Sequence, residues 1–211
     1  MVRYLKFIFL CVVFCGVHLP SKLCCAEKVI EVTKASIESF ISGMLDQAVK
    51  AFHMENESER YQSFLAILKS SFAIKETAMF MVGSAYDERT GEEQSEYCEL
   101  LKSYMVRLYL EKFDAYGKNF KREDFRLQRS FAIQEGGPWI VKTILTLNAE
   151  SESTSIFVDW MIDVTSGKPR IIDVSIENIS VVQTKRSEFL SVLSSKGWDA
   201  LIQKIKEKTS E

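Results

Sequence analysis

After Gly117 the apolar residues change their period, and that change limits the fold more than any other feature of the chain. Phe125, Leu127, Arg129, Phe131 and Ile133 read as one strand. Trp139, Val141, Thr143, Leu145 and Leu147 read as a second, and Ile156, Val158, Trp160, Ile162 and Val164 as a third. The turn sequences Gly136-Gly137-Pro138 and Ser166-Gly167-Lys168-Pro169 are too short for a parallel crossover. The second leads into Ile171–Ile176, a fourth strand, so the expectation is an antiparallel meander of four strands.

That fourth strand runs directly into a helix. Ser180 and Gln183 have the spacing of a capping box, in which the hydroxyl accepts from a free first-turn amide and the Gln side chain reaches back to the cap. Phe189, Leu190, Val192 and Leu193 supply an apolar face, and Lys196-Gly197 is a basic last turn followed by a helix stop. A second short helix follows from Trp198 to about Lys208.

Upstream of the sheet the period is helical. Ile37, Phe40, Ile41, Met44, Leu45, Ala48, Val49 and Phe52 form one broad stripe, and Tyr61, Phe64, Leu65, Leu68 and Phe72 a second, started by Asn56 and Glu59. Ala78–Val82 is apolar on every side, which suits deep core or a cavity wall. Thr90 and Glu93 open a long helix to about Tyr116 with the stripe Tyr97, Leu101, Tyr104, Met105, Leu108 and Tyr109. Helices, then strands, then two helices predict an α+β domain, one over residues 27–211.

Residues 1–26 are set apart as a secretory signal peptide. Arg3 and Lys6 precede an apolar run from Phe7 to Val17, and Cys24-Cys25-Ala26 places small residues before a cut after Ala26. The run is too short to cross a membrane. Its removal leaves 24 of the 27 bases against all 29 acids, a net charge of −5, which excludes a strongly basic nucleic-acid surface. Of the five cysteines only Cys98 stays, so no internal disulfide can form and stability rests on the core.

The chemistry-bearing side chains are sparse. His53 and Cys98 are the single His and single Cys of the processed chain, which excludes metal sites built from the ordinary His and Cys ligand sets and makes a nucleophile–base triad hard to assemble. His53 falls at a helix end, where its interaction with terminal carbonyls is the plainer reading. Cys98 lies on the long helix and reads as packed. Glu92, Glu93 and Glu96 sit in the first turns of a helix, where acids are favoured by the dipole. There is no glycine-rich phosphate loop, and no cofactor is expected. These absences, in a chain rich in Phe, Met and Tyr, suit a binding protein and leave its cargo open.

The C-terminal tract carries a resemblance. Ile172-Asp173-Val174, Glu177-Asn178-Ile179-Ser180-Val181, Thr184-Lys185-Arg186-Ser187-Glu188-Phe189 and Lys196-Gly197-Trp198-Asp199-Ala200-Leu201-Ile202 follow one another as in the MlaC family of periplasmic phospholipid-binding proteins, the toluene-tolerance auxiliary components of ABC transporters. Val82-Gly83-Ser84-Ala85-Tyr86, Thr90 with Tyr97, and Trp160 resemble further family positions. Gly91, Glu93, Asn178 and Pro169 depart from the usual Pro, Gln, Gly and Trp.

The resemblance implies a nuclear-transport-factor-like or cystatin-like α+β fold enclosing an apolar cavity. It also implies a periplasmic carrier, expected as a monomer, that shuttles glycerophospholipids between outer and inner membranes and maintains outer-membrane lipid asymmetry. Its implied partners are an outer-membrane lipoprotein–porin complex and the inner-membrane MCE-domain protein of an ABC transporter. At about 0.8 kcal/mol per methylene, two long acyl chains exposed to water cost roughly 25 kcal/mol, so the tails need an enclosed cavity. The residues expected to line it are Met79, Val82, Tyr86, Leu101, Met105, Trp139, Val141, Leu145, Val158 and Trp160, with ordinary core packing the competing reading for each. Lys185 and Arg186 are candidates for a headgroup phosphate or a partner's acidic surface, against the plainer reading of a solvated helix face. A different class, a small hydrolase or isomerase on the same scaffold, would depend on Asp159, Asp163 or Asp173 as acid–base groups. A carrier of another apolar cargo, such as hopanoids, is the third reading.

Overall fold

A computed structural model of the chain describes residues 32–117, 121–148 and 153–210, so the segment read as a signal peptide lies outside the described residues. Four helices come first: α1 (Lys34–Phe52), α2 (Glu57–Ser71), α3 (Ile74–Val82) and α4 (Gly91–Gly117). Their starts are written locally. Thr33 and Ser36 cap each other at α1, and the Asn56 side chain accepts from the Glu59 amide at α2. Thr90 and Glu93 form the reciprocal box that their spacing predicts. His53 stands at the C-terminal cap of α1, at the helix end where the sequence places it.

Five strands follow, β1 (Phe125–Ala132), β2 (Trp139–Asn148), β3 (Ser153–Asp163), β4 (Arg170–Ile176) and β5 (Ile179–Ser180), each antiparallel to the next in chain order. The fold is the expected α+β meander with one strand more than the four expected. The extra strand arises because β4 turns back through Glu177 (φ 50°) and Asn178 (φ 63°), the two left-handed residues of a tight hairpin. Asn adopts that conformation readily; Glu177 is held in it by a Phe157 amide that donates to its carboxylate at 2.7 Å.

One sequence expectation fails on a single residue. Phe125 to Ile133 read as an uninterrupted alternation, but the register against β2 slips between Leu127 and Arg129. This bulge inverts every later side chain. Ser130 and Ala132 therefore turn towards the helices, while Phe131 is left 37% exposed on the outer face.

The last element, α5 (Val181–Ser210), is two helices joined at Gly197, whose φ of 81° and ψ of −177° interrupt the helical path. Ser180 accepts from the Gln183 amide at 2.9 Å, as the capping spacing predicts. Asp173 ties strand to helix: one carboxylate oxygen accepts from the Val174 amide at 2.7 Å and the Val182 amide at 3.1 Å.

Two cores result. One lies between α1, α2 and the inner sheet face, around Ile37, Ile41, Leu45, Val141 and Ile162. The other lies among α3, α4 and α5, around Tyr97, Leu101, Phe189 and Leu201. Phe64 of α2 and Phe72, just past its end, touch both, so α2 is the seam between them.

Candidate ligand cavity

The first core is not filled. Between its helices and the sheet is a cavity of about 100 Å³. On the helix side its wall is Met44, Leu45, Ala48 and Phe52 of α1 and Phe64, Ile67, Leu68 and the adjoining Phe72 of α2. Val106 and Tyr109 of α4 close one flank, and Phe125, Leu145, Val158, Trp160, Val174 and Ile176 form the sheet side. Apolar side chains meet there because the α1 and α2 stripes face the inner positions of a twisted sheet across a gap that they do not fill.

The polar atoms in this wall are few and constrained. The Trp160 indole N–H donates at 3.0 Å to the Thr143 hydroxyl, which itself donates at 3.0 Å to the Val158 carbonyl. Thr143 is 1% exposed, so this pair locks the ring in the cavity wall. Tyr109 is the one ionisable lining residue, and burial, assisted by the charge of Asp173, pushes its hydroxyl well above the ordinary tyrosine value of 10.0. The wall therefore carries no ionised group at neutral pH. An apolar void of this kind stays dry and accepts hydrocarbon.

Ligand pockets commonly span about 300–1,000 Å³. The cavity is smaller, so a ligand of that size would enter only if the helices and the sheet parted. Among the described residues, the polar ties between them include the Ala73 amide, which donates at 2.9 Å to the Ile171 carbonyl of β4, and a group near β1. Ser130 donates to the Glu38 carboxylate, and Arg122 donates to Asp46 and Ser42 of α1 and to the Phe125 carbonyl. The ties near β1 border a second cleft of about 390 Å³, lined by polar and apolar side chains alike and sharing Leu45 and Phe125 with the cavity.

Of the residues expected to line a cavity, the structure brings Leu145, Val158 and Trp160 to this wall. Trp139 and Val141 lie in the same core but not in the cavity wall, although Val141 is the cross-strand partner of Trp160. Val82, Tyr86, Leu101 and Met105 pack in the second core, and Met79 is 38% exposed on the outer side of α3. The cause is that α4 serves two cores. Val106 and Tyr109 pack in the second core and also reach the cavity, while Leu101 and Met105 pack in that core alone, a distinction invisible in a single stripe. The α1 and α2 stripes were the signal for the remaining lining residues, since both are broad enough to wall a sheet.

The remaining candidates lie elsewhere. Lys185 pairs with Glu188 at 2.9 Å over the Tyr104 ring, and Arg186 lies 4.6 Å from the centre of the Phe80 ring; neither lines the cavity. Asp159 pairs with Lys142 on the outer sheet face, Asp163 caps a turn by accepting from Thr165, and Asp173 is engaged by two amides. None of these three carboxylates is among the cavity-lining residues. Cys98 is half-buried, 3.7 Å from the Tyr86 hydroxyl. Among the described residues, no group of three or more His, Cys, Asp or Glu could hold a metal ion, and no helix is long and apolar enough to cross a membrane.

Comparison with known proteins identifies the type. The family model described as MlaC protein matches residues 41–207. Among solved structures, the chain is similar in fold to a phospholipid-binding protein from Ralstonia solanacearum, solved in complex with a phospholipid. The TM-score is 0.65 at 17% identity, over 84% of this chain and 96% of that one. No curated protein matches the chain.

Proposed function

The chain belongs to the MlaC family, and from that premise we propose that it is a non-enzymatic carrier that holds the acyl chains of a glycerophospholipid in the cavity between α1, α2 and the sheet. The observation that carries this reading is the wall itself: aliphatic and aromatic side chains throughout, with its one hydroxyl held neutral and its one indole N–H bonded within the protein. Such a surface offers nothing to orient a polar substrate and much to solvate hydrocarbon. The family and the fold of the Ralstonia solanacearum protein support the same reading.

In this reading the protein is exported to the periplasm, cut after Ala26, and works as a monomer. It takes phospholipid from one membrane and releases it at the other as the auxiliary component of an ABC transport system, maintaining outer-membrane lipid asymmetry. Exchange would take place at an outer-membrane lipoprotein–porin complex and at an inner-membrane MCE-domain protein. The small volume of the cavity supports a cycle in which the sheet and helices part at a docking partner and close again around or after the cargo.

The test is native purification followed by solvent extraction and lipid mass spectrometry. Near-stoichiometric diacyl lipid is expected; repeated absence of any lipid overturns the reading, and hopanoids in its place would redefine the cargo. The intact mass of the exported protein checks the cleavage site.

A further inference from the structure

Beyond the cavity, the cleft between α4 and α5 gathers positive charge on a chain whose formal net charge is −2. Its volume is about 190 Å³, and Arg107, Lys185, Lys204 and Lys208 line it with Tyr104. Glu188 is its one acid. Both Glu188 oxygens are occupied, one by Lys185 at 2.9 Å and the other by Lys204 at 2.6 Å. Arg107, Lys185 and Lys204 against the one carboxylate give the cleft a formal charge of +2 without Lys208. Arg107 adds a directional feature: its Nε–H is buried with no hydrogen-bond partner, and its guanidinium lies 5.9 Å from the centre of the Tyr61 ring. A buried donor without a partner is costly, and because that Nε is closed to solvent a phosphate entering the cleft would meet the outer guanidinium nitrogens of Arg107.

We propose that the α4–α5 cleft is a binding site for a phosphate group, formed by Arg107, Lys185 and Lys204 and separate from the acyl-chain cavity. The cleft is concave, which suits a compact anion, and its surplus charge matches a phosphate better than a single carboxylate. Burial works against the charge of Lys185, but hydrogen bonds to Tyr104 and Glu188 raise its pKa overall, so the site stays cationic at neutral pH. The two halves of α5 contribute jointly, since Lys185 precedes the Gly197 break and Lys204 follows it. Arg107 is flanked in sequence by the cavity-lining Val106 and by Leu108, so α4 stands between the two sites. The same chemistry is offered by a soluble phosphate ester and by the headgroups of an anionic bilayer.

Two probes separate these sources. Calorimetric titration of the full processed protein with inorganic phosphate and glycerol 3-phosphate reads the soluble source. Flotation with phosphatidylcholine vesicles, with and without phosphatidic acid, reads the bilayer source. Arg107→Gln and Lys204→Gln are each expected to weaken the responding probe by about tenfold. Glu188→Gln, which removes the competing carboxylate, is expected to strengthen it severalfold, an outcome that a purely structural role for the cluster does not produce. Lipid recovered from the cavity should be the same in all variants, so failure here and failure of the carrier reading are distinguishable. Absence of response to either probe in the wild type, or weaker binding in Glu188→Gln with an unchanged melting temperature, overturns the proposal.

Discussion

Ala48→Leu probes the cavity from its own wall. Ala48 lies mid-helix in α1 and lines the void, and leucine keeps a high helix propensity there. An empty apolar volume of 100 Å³ carries a penalty of about 2.4 kcal/mol at about 24 cal/mol per Å³. Three added carbons, at about 0.8 kcal/mol each when buried, recover about the same amount. The lipid-free variant should therefore be more stable by up to about 2 kcal/mol, which at about 2–4 °C per kcal/mol for a chain of this size raises Tm by about 4–8 °C. Carriage should move the other way. The same volume is then denied to the cargo, and about 2.4 kcal/mol corresponds to about a fiftyfold loss of lipid affinity. Delipidated protein, melted by calorimetry and then reloaded from vesicles, supplies both readouts. A lower Tm would mean that the space is already occupied by packed side chains, since overpacking destabilises. A higher Tm with undiminished lipid loading would place the cargo elsewhere.

Thr143→Val removes the acceptor of the Trp160 indole and should cost about 1–3 kcal/mol in denaturant unfolding, with altered tryptophan emission. Gly197→Ala meets no atom within 4 Å, so its expected loss of about 1–3 kcal/mol comes from the backbone conformation alone. The pH dependence at Glu188 has a fixed sign. Although burial raises its pKa, hydrogen bonds from Lys204 and Lys185 bring it below the ordinary 4.5. Its stabilisation is therefore complete above 4.5 and lost as pH falls through the lower folded value, a slope that Glu188→Gln should flatten in acid-unfolding curves. Tyr97 behaves oppositely. Burial raises its pKa above 10.0, so stability it contributes is lost as pH rises from 10 towards the folded value, and Tyr97→Phe, which removes a buried hydroxyl without a partner, should reduce alkaline unfolding.

The order and type of the elements were legible in the chain because local signals carry them. The caps at Asn56, Thr90 and Ser180, the stop at Gly197, and the switch from helical to alternating period after Gly117 each act within a few residues. The family tract from Ile172 to Ile202 was equally local. Two details escaped. A bulge of one residue in β1 turned Phe131 outward, and the pair of left-handed residues Glu177 and Asn178 inserted β5 before the helix. Register and positive φ are settled by the neighbouring strand, here β2 and β3, so the segment's own pattern does not contain them.

The site depended on tertiary structure to a greater degree. An apolar stripe states that a face avoids water; it does not state which of two cores receives it, or whether the space opposite is filled. Leu101 and Val106 lie on one helix and both pack in the α3–α4–α5 core, yet only Val106 also borders the cavity. The sequence by itself determined an α+β meander of this family with an excess of apolar surface to bury. Where that surface leaves a void was decided only when α1 and α2 settled across the twisted sheet, because a void is set by distances between elements and not by the composition of any one of them.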